Sequence, residues 1–187
     1  MIFFYTGFSL KLIDQVNDED YNLNFIIKNI ILYSSAIIAG MGMILDLYNA
    51  AIGLTLIIGL LISKKINVFD FKIYAIIVPS TMVVCSFFNQ FYVFLNLYLV
   101  ILTIIILLIG IILDELLNNY LDSLSINNPI YKNLTSIRPI LKVIAFILPL
   151  FNIFTFYHSF QILLFDIGYD LTKVITEKQM KNKRESI

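Results

Sequence analysis

Residues 25–63 read FIIKNIILYSSAIIAGMGMILDLYNAAIGLTLIIGLLIS, and this stretch decides the fold. A helix rises about 1.5 Å per residue, so about 20 apolar residues cross a hydrocarbon core of about 30 Å. The stretch is too long for one crossing and suits two. Beyond Lys28 and Asn29, its one polar cluster is Asp46-Leu47-Tyr48-Asn49. A tight turn at that cluster makes the stretch a helical hairpin.

Other apolar blocks lie at 1–13, 73–88, 91–113, 140–150 and 154–165. Asn89-Gln90 marks a turn between two of them. Pro149 and Asn152 mark a break that divides 140–175 into two more helices. The chain is 59% hydrophobic and 14% charged, with a mean hydropathy of +0.88, whereas soluble domains are about 25% charged. The fold class is therefore all-α, a polytopic membrane helical bundle. Residues 1–175 form one transmembrane domain, and 176–187 a charged cytoplasmic tail that frays beyond the membrane.

Basic residues cluster in four windows, Lys11 to Lys28, Lys64 to Lys72, Lys132 to Lys142 and Lys173 to Arg184. Basic loops stay in the cytoplasm, so the distribution of lysine and arginine counts the spans. Seven spans place all four windows inside and leave the turns at 46–49, 89–90 and near Asn152 without a basic residue. Six spans, the alternative, put the Lys64-Lys65 loop and the basic tail on opposite sides. The expected arrangement is a lead helix followed by three helical hairpins in the cell membrane, N-terminus outside and C-terminus cytoplasmic. The N-terminal segment lacks the basic region and cleavage site of a secretory signal and is read as a retained helix.

Composition also excludes. Thirteen basic and thirteen acidic residues give zero net charge, which disfavours a nucleic-acid partner. Cys85 is the one cysteine and His158 the one histidine. An internal disulfide and a His/Cys zinc site within one chain are thereby ruled out. No Gly-x-Ser-x-Gly elbow exists for serine catalysis.

The acids supply the sharpest chemical pattern. Asp14 and Asp18, Asp114 and Asp122 with Asn118 between them, and Asp166 and Asp170 recur at one-turn spacing. Each set puts its oxygens on one helix face, where like charges repel unless a cation sits between them. Mg²⁺ takes one or two carboxylates together with phosphate oxygens of a substrate. Three such faces at the cytoplasmic ends of spans would clamp a diphosphate whose lipid tail lies among the helices. The pairs are similar to the aspartate-rich motifs of intramembrane prenyltransferases. This chain is much shorter, and its Asn17-Asp18-Glu19-Asp20 is a fragment of their longer motif, so no membership follows. The plainer reading makes these acids solvated helix ends in a charge-balanced loop layer.

Lys64, Lys65 and Arg138 are candidate substrate-binding residues, as phosphate ligands, or else topology determinants that snorkel to the interface. Asp46, the one acid on the outer side, is either a cap of the following helix or an intramembrane cation or proton site. Small residues at 34–36, 39–42, 50–53 and 59 predict close packing of the 25–63 hairpin. Tyr157, His158 and Gln161 are expected on one face of the last span, with His158 hydrogen-bonded near the outer interface. Three function classes follow. The first is metal-assisted chemistry on lipid or isoprenoid phosphates, the second a small-solute transporter or its membrane component, the third an accessory subunit. Membrane lipids are the expected partners, with self-association or a membrane complex as further options.

Overall fold

The computed structural model describes residues 1–18, 21–62, 68–89, 97–123 and 139–185. Among these, seven α-helices follow one another: α1 (Ile2–Asp18), α2 (Phe25–Met43), α3 (Leu47–Ile62), α4 (Phe69–Asn89), α5 (Leu97–Ser123), α6 (Pro139–Ile147) and α7 (Phe156–Glu185). Three stretches, Phe25–Met43 of α2, Phe69–Phe87 of α4 and Tyr98–Leu117 of α5, are long and apolar enough to cross a membrane. The chain is thus an all-helical protein with membrane-type helices.

The 25–63 run folds as its polar cluster predicts. Asn24 caps α2 through Ile26 N–H, and Asp46 caps α3 by accepting from Tyr48 N–H at 2.8 Å. The turn sits at residues 44–46, slightly earlier than the cluster suggested. Asn152 adopts the left-handed conformation (φ 55°) after a 3-10 turn at Leu148–Phe151. That turn separates α6 from α7 at the expected Pro149–Asn152 break. The C-terminal segment differs from expectation, because α7 stays helical through Glu185. Tyr21 O–H donates to Gln179 Oε1, and Thr176 Oγ1 donates back to Thr172 O at 2.9 Å, so these turns are tied down.

The first and last helices make the main interface. Gly7 of α1 faces Phe165 O, and Gly168 of α7 faces Phe4 O. Thr172 Oγ1 lies 3.2 Å from Phe8 O and 2.8 Å from Gly168 O. With Tyr169 beside Asp14 and Tyr21 beside Gln179, the two helices run in the same direction. α1 also packs on α2, α2 on α3 and α4, α3 on α5, α5 on α6 and α6 on α7. Every residue from Ser9 to Gln15 is buried, so α1 has no free face over nearly two turns.

The small residues of the 25–63 hairpin serve several neighbours rather than the hairpin alone. Gly53 lies against Met43 across the turn, but Gly40 meets Val78 O of α4, Gly42 meets Ile2 of α1 and Gly59 meets Ile111 of α5. A methyl on Gly7 would stand 2.0 Å from the Phe165 carbonyl oxygen, which is backbone and cannot yield. On Gly59 it would stand 3.0 Å from the Ile111 Cδ1 methyl, which can. Gly7→Ala is therefore expected to destabilise the fold by about 1–3 kcal/mol or more, as overpacking does, and Gly59→Ala by clearly less. Thermal unfolding of both variants in detergent checks this, and equal melting temperatures would contradict the α1–α7 crossing.

Candidate functional site

Four of the acids are buried rather than solvated. Asp14 (7% exposed), Asp70 (6%), Asp114 (6%) and Asp166 (7%) are all buried. An isolated buried charge costs several kcal/mol, so each needs a partner. The chain supplies one for every member of the set. Lys11 Nζ lies 2.8 Å from Asp14 Oδ2 and 5.4 Å from the Tyr169 ring centroid, and Tyr169 O–H reaches the same oxygen at 3.3 Å. Lys28 Nζ is 2.8 Å from Asp70 Oδ2, which also accepts from Asn17 Nδ2 at 3.0 Å. This carboxylate ties α1, α2 and α4 together.

Asp114 works differently. Its two oxygens accept from Ile140 N–H (2.9 Å) and Leu141 N–H (2.8 Å), the orphan donors of α6's first turn. A carboxylate on α5 thus caps a neighbouring helix that begins with Pro139, and the positive end of that helix favours the negative charge. One residue on, Lys142 Nζ stands 3.3 Å from Asp166 Oδ2 of α7. Ser159 Oγ donates to Ala145 O at 2.6 Å and fixes α6 on α7 nearby. The capped amides of residues 140 and 141 and the Lys142–Asp166 pair together make the start of α6 a polar cluster.

Phe156, Phe160, Ile167, Leu171 and Val174 are exposed along one stripe of α7, about 27 Å long at about 1.5 Å per residue. Asp166 lies midway along it in the chain, on the buried side. α6 is nine residues long, about half of what a membrane crossing needs.

The sequence-predicted metal residues are only partly gathered. Asp114 holds the amides of Ile140 and Leu141, Asp166 pairs with Lys142 of that same helix, α6, and Asp14 lies at the α1–α7 interface against Tyr169. Asp18 is exposed at the end of α1 and Asp170 is half-buried. Asp122 falls within α5, with its side chain outside the described residues, as are Lys64, Lys65 and Arg138 altogether. Among the described residues no three His, Cys, Asp or Glu side chains stand together as a metal site.

At the other end of the bundle, Asp46 adds to its capping role an approach of 3.4 Å to His158 Nε2. The other imidazole nitrogen lies 3.3 Å from Thr155 N and 2.9 Å from Thr155 Oγ1. Nδ1 is thus engaged within the start of α7, while Nε2 makes no hydrogen bond among the described residues and meets the α2–α3 turn only through its approach to Asp46. His158 is buried with Gln161, but Tyr157 points out, so the three do not share a face. Lys11 and Asp14, three apart, were a visible pairing signal. Lys28–Asp70 and Lys142–Asp166 join distant parts of the chain, and nothing local announced them.

Comparison with protein-family models, curated proteins and solved structures finds no match for this chain.

The cluster makes a quantitative expectation. Asp166→Asn leaves the Lys142 ammonium buried without its counter-charge and is expected to cost about 3–5 kcal/mol. The paired change Lys142→Met with Asp166→Leu should recover most of that loss, because it removes both charges. Unfolding titrations of the three variants measure it, and additive losses in the double variant would show that the two groups do not interact.

Proposed function

We propose that this chain is a seven-span protein of the cell membrane that binds and processes a lipid or isoprenoid phosphate from its basic, cytoplasmic end. The observation that carries the reading is the Lys142–Asp166 pair, set midway along the apolar stripe of α7 on a short helix whose start is capped by Asp114. Charge used only to set topology stays in the aqueous layer, so charge at this depth implies use. An ammonium and a helix N-terminus both favour an anion. In this reading a phosphate competes with Asp114 and Asp166 for Lys142 and the α6 amides. Asp114 and Asp166 are the carboxylates that would hold Mg²⁺ there, and the ion would supply charge neutralisation for the phosphate oxygens. Lys64, Lys65 and Arg138, in the adjoining basic loops, meet the headgroup as it arrives, and Asp14, Asp18, Asp122 and Asp170 form the acidic surround.

The topology is supported by α1 and α7 running in the same direction, as an odd number of alternating crossings requires. In a Cys85→Ala background, cysteines placed at Asn128 and Lys181 should label only from the cytoplasm. Labelling of position 128 from outside, with 181 inside, would contradict seven spans.

A second reading is favoured by the same depth: a buried ion pair next to a short helix also suits ion- or proton-coupled transport. Two assays separate them. Farnesyl diphosphate with Mg²⁺ should raise the melting temperature of purified protein through linkage, and Lys142→Gln should abolish the rise. No rise with that amphiphile, together with solute flux into proteoliposomes driven by a pH gradient, would overturn the first reading in favour of the second.

A further inference from the structure

The exposed stripe of α7 changes character sharply at one point. From Phe156 through Phe160, Ile167, Leu171 and Val174 it is apolar. The next turns of the same face carry Lys178 and then Lys181, both exposed, while the backbone continues helical through Glu185. The apolar part covers about 27 Å and Lys178 falls about 33 Å from Phe156, at the level where a hydrocarbon core of about 30 Å gives way to headgroups. The opposite side of these turns is held by protein, through Tyr21 and Gln179 and the buried Thr172 and Thr176. The lysine face is therefore held pointing away from the bundle. From residue 173 to 185 the sequence holds Lys173, Lys178, Lys181, Lys183 and Arg184 against Glu177 and Glu185, a basic excess directly beyond the apolar stripe.

We infer that the last turns of α7 are a docking face for anionic phospholipid headgroups of the adjoining leaflet, with Lys178 and Lys181 as its contact residues. The lysine stems lie along the lipid acyl chains and the ammonium groups reach the phosphate layer. A zwitterionic headgroup offers the same phosphate, but its own cation offsets the attraction. Selectivity for net negative lipid follows, and salt screens it. This face is separate from the Lys142–Asp166 cluster; it rests on the proposed crossing of α7 and not on the chemistry proposed for that cluster.

The test is a lipid titration of the full chain in neutral detergent, read by native mass spectrometry and melting temperature. Phosphatidylglycerol should bind more tightly than phosphatidylcholine, and Lys178→Gln/Lys181→Gln should weaken it by about fivefold or more at low salt, the scale of losing one or two interfacial charges. Lys142→Gln should leave the preference intact. Inorganic phosphate at matched ionic strength should produce no shift, which separates a lipid headgroup from a free-phosphate site. The inference is overturned if the double variant keeps the full preference for phosphatidylglycerol. It is overturned equally if phosphate alone reproduces the shift, or if the basic face retains RNA on filters and ignores the lipid.

Discussion

The desolvation of Lys11 and Asp14 is the constraint on which the bundle depends. Both sit on a helix with no free face, where neither charge can reach water without opening the interface with α7. Their 2.8 Å contact and the Tyr169 hydroxyl and ring that surround them make burial tolerable. That arrangement requires α7 to lie alongside α1 at close range, which glycines at 7 and 168 allow. Helix association in a membrane draws on close packing and polar contacts, since lipid is as apolar as leucine. The α1–α7 crossing supplies both kinds at once, between the two ends of the chain.

The same rule organises the rest of the polar interior. Asp70 collects Lys28 and Asn17, Asp166 collects Lys142, and Asp114 collects the amides of α6. These links run between different helices, so they fix neighbours as well as neutralise charge. Apolar packing alone is non-directional and would tolerate rotation of a span about its axis. An ion pair buried at one level does not. The cluster at the start of α6 stands out because a carboxylate from another helix, Asp114, satisfies its first amides.

Much of this fold was legible in the sequence. The apolar run at 25–63 with its polar cluster gave a hairpin, because length and interruption are local properties. The break at Pro149–Asn152 was visible for the same reason, while the turn expected at Asn89-Gln90 runs outside the described residues. The burial of the acids was not, since a charge near the end of an apolar block reads the same whether it faces water or a lysine from another helix. Asp114 is the clearest case: its partners are backbone amides of residues 140 and 141, which have no sequence signature. Lys28 and Asp70 are separated by a hairpin. The helical turns beyond residue 176 were hidden too, because a charged segment looks frayed until the contact of Tyr21 with Gln179 is known. A cap was one of the two roles open to Asp46, and it does cap α3, yet its approach to His158 depends on how two hairpins pack.

Hydrogen–deuterium exchange on the full-length chain in lipid nanodiscs tests the central claim, that a charged α1 lies inside the bundle. A helix enclosed on all sides exchanges slowly along its length, whereas one lying at the interface opens to water on one face. The account predicts that the amides of Ser9 to Gln15 exchange as slowly as those of residues 100–110 in the apolar helix α5. Rapid exchange across Ser9 to Gln15, with residues 100–110 still protected, would contradict it.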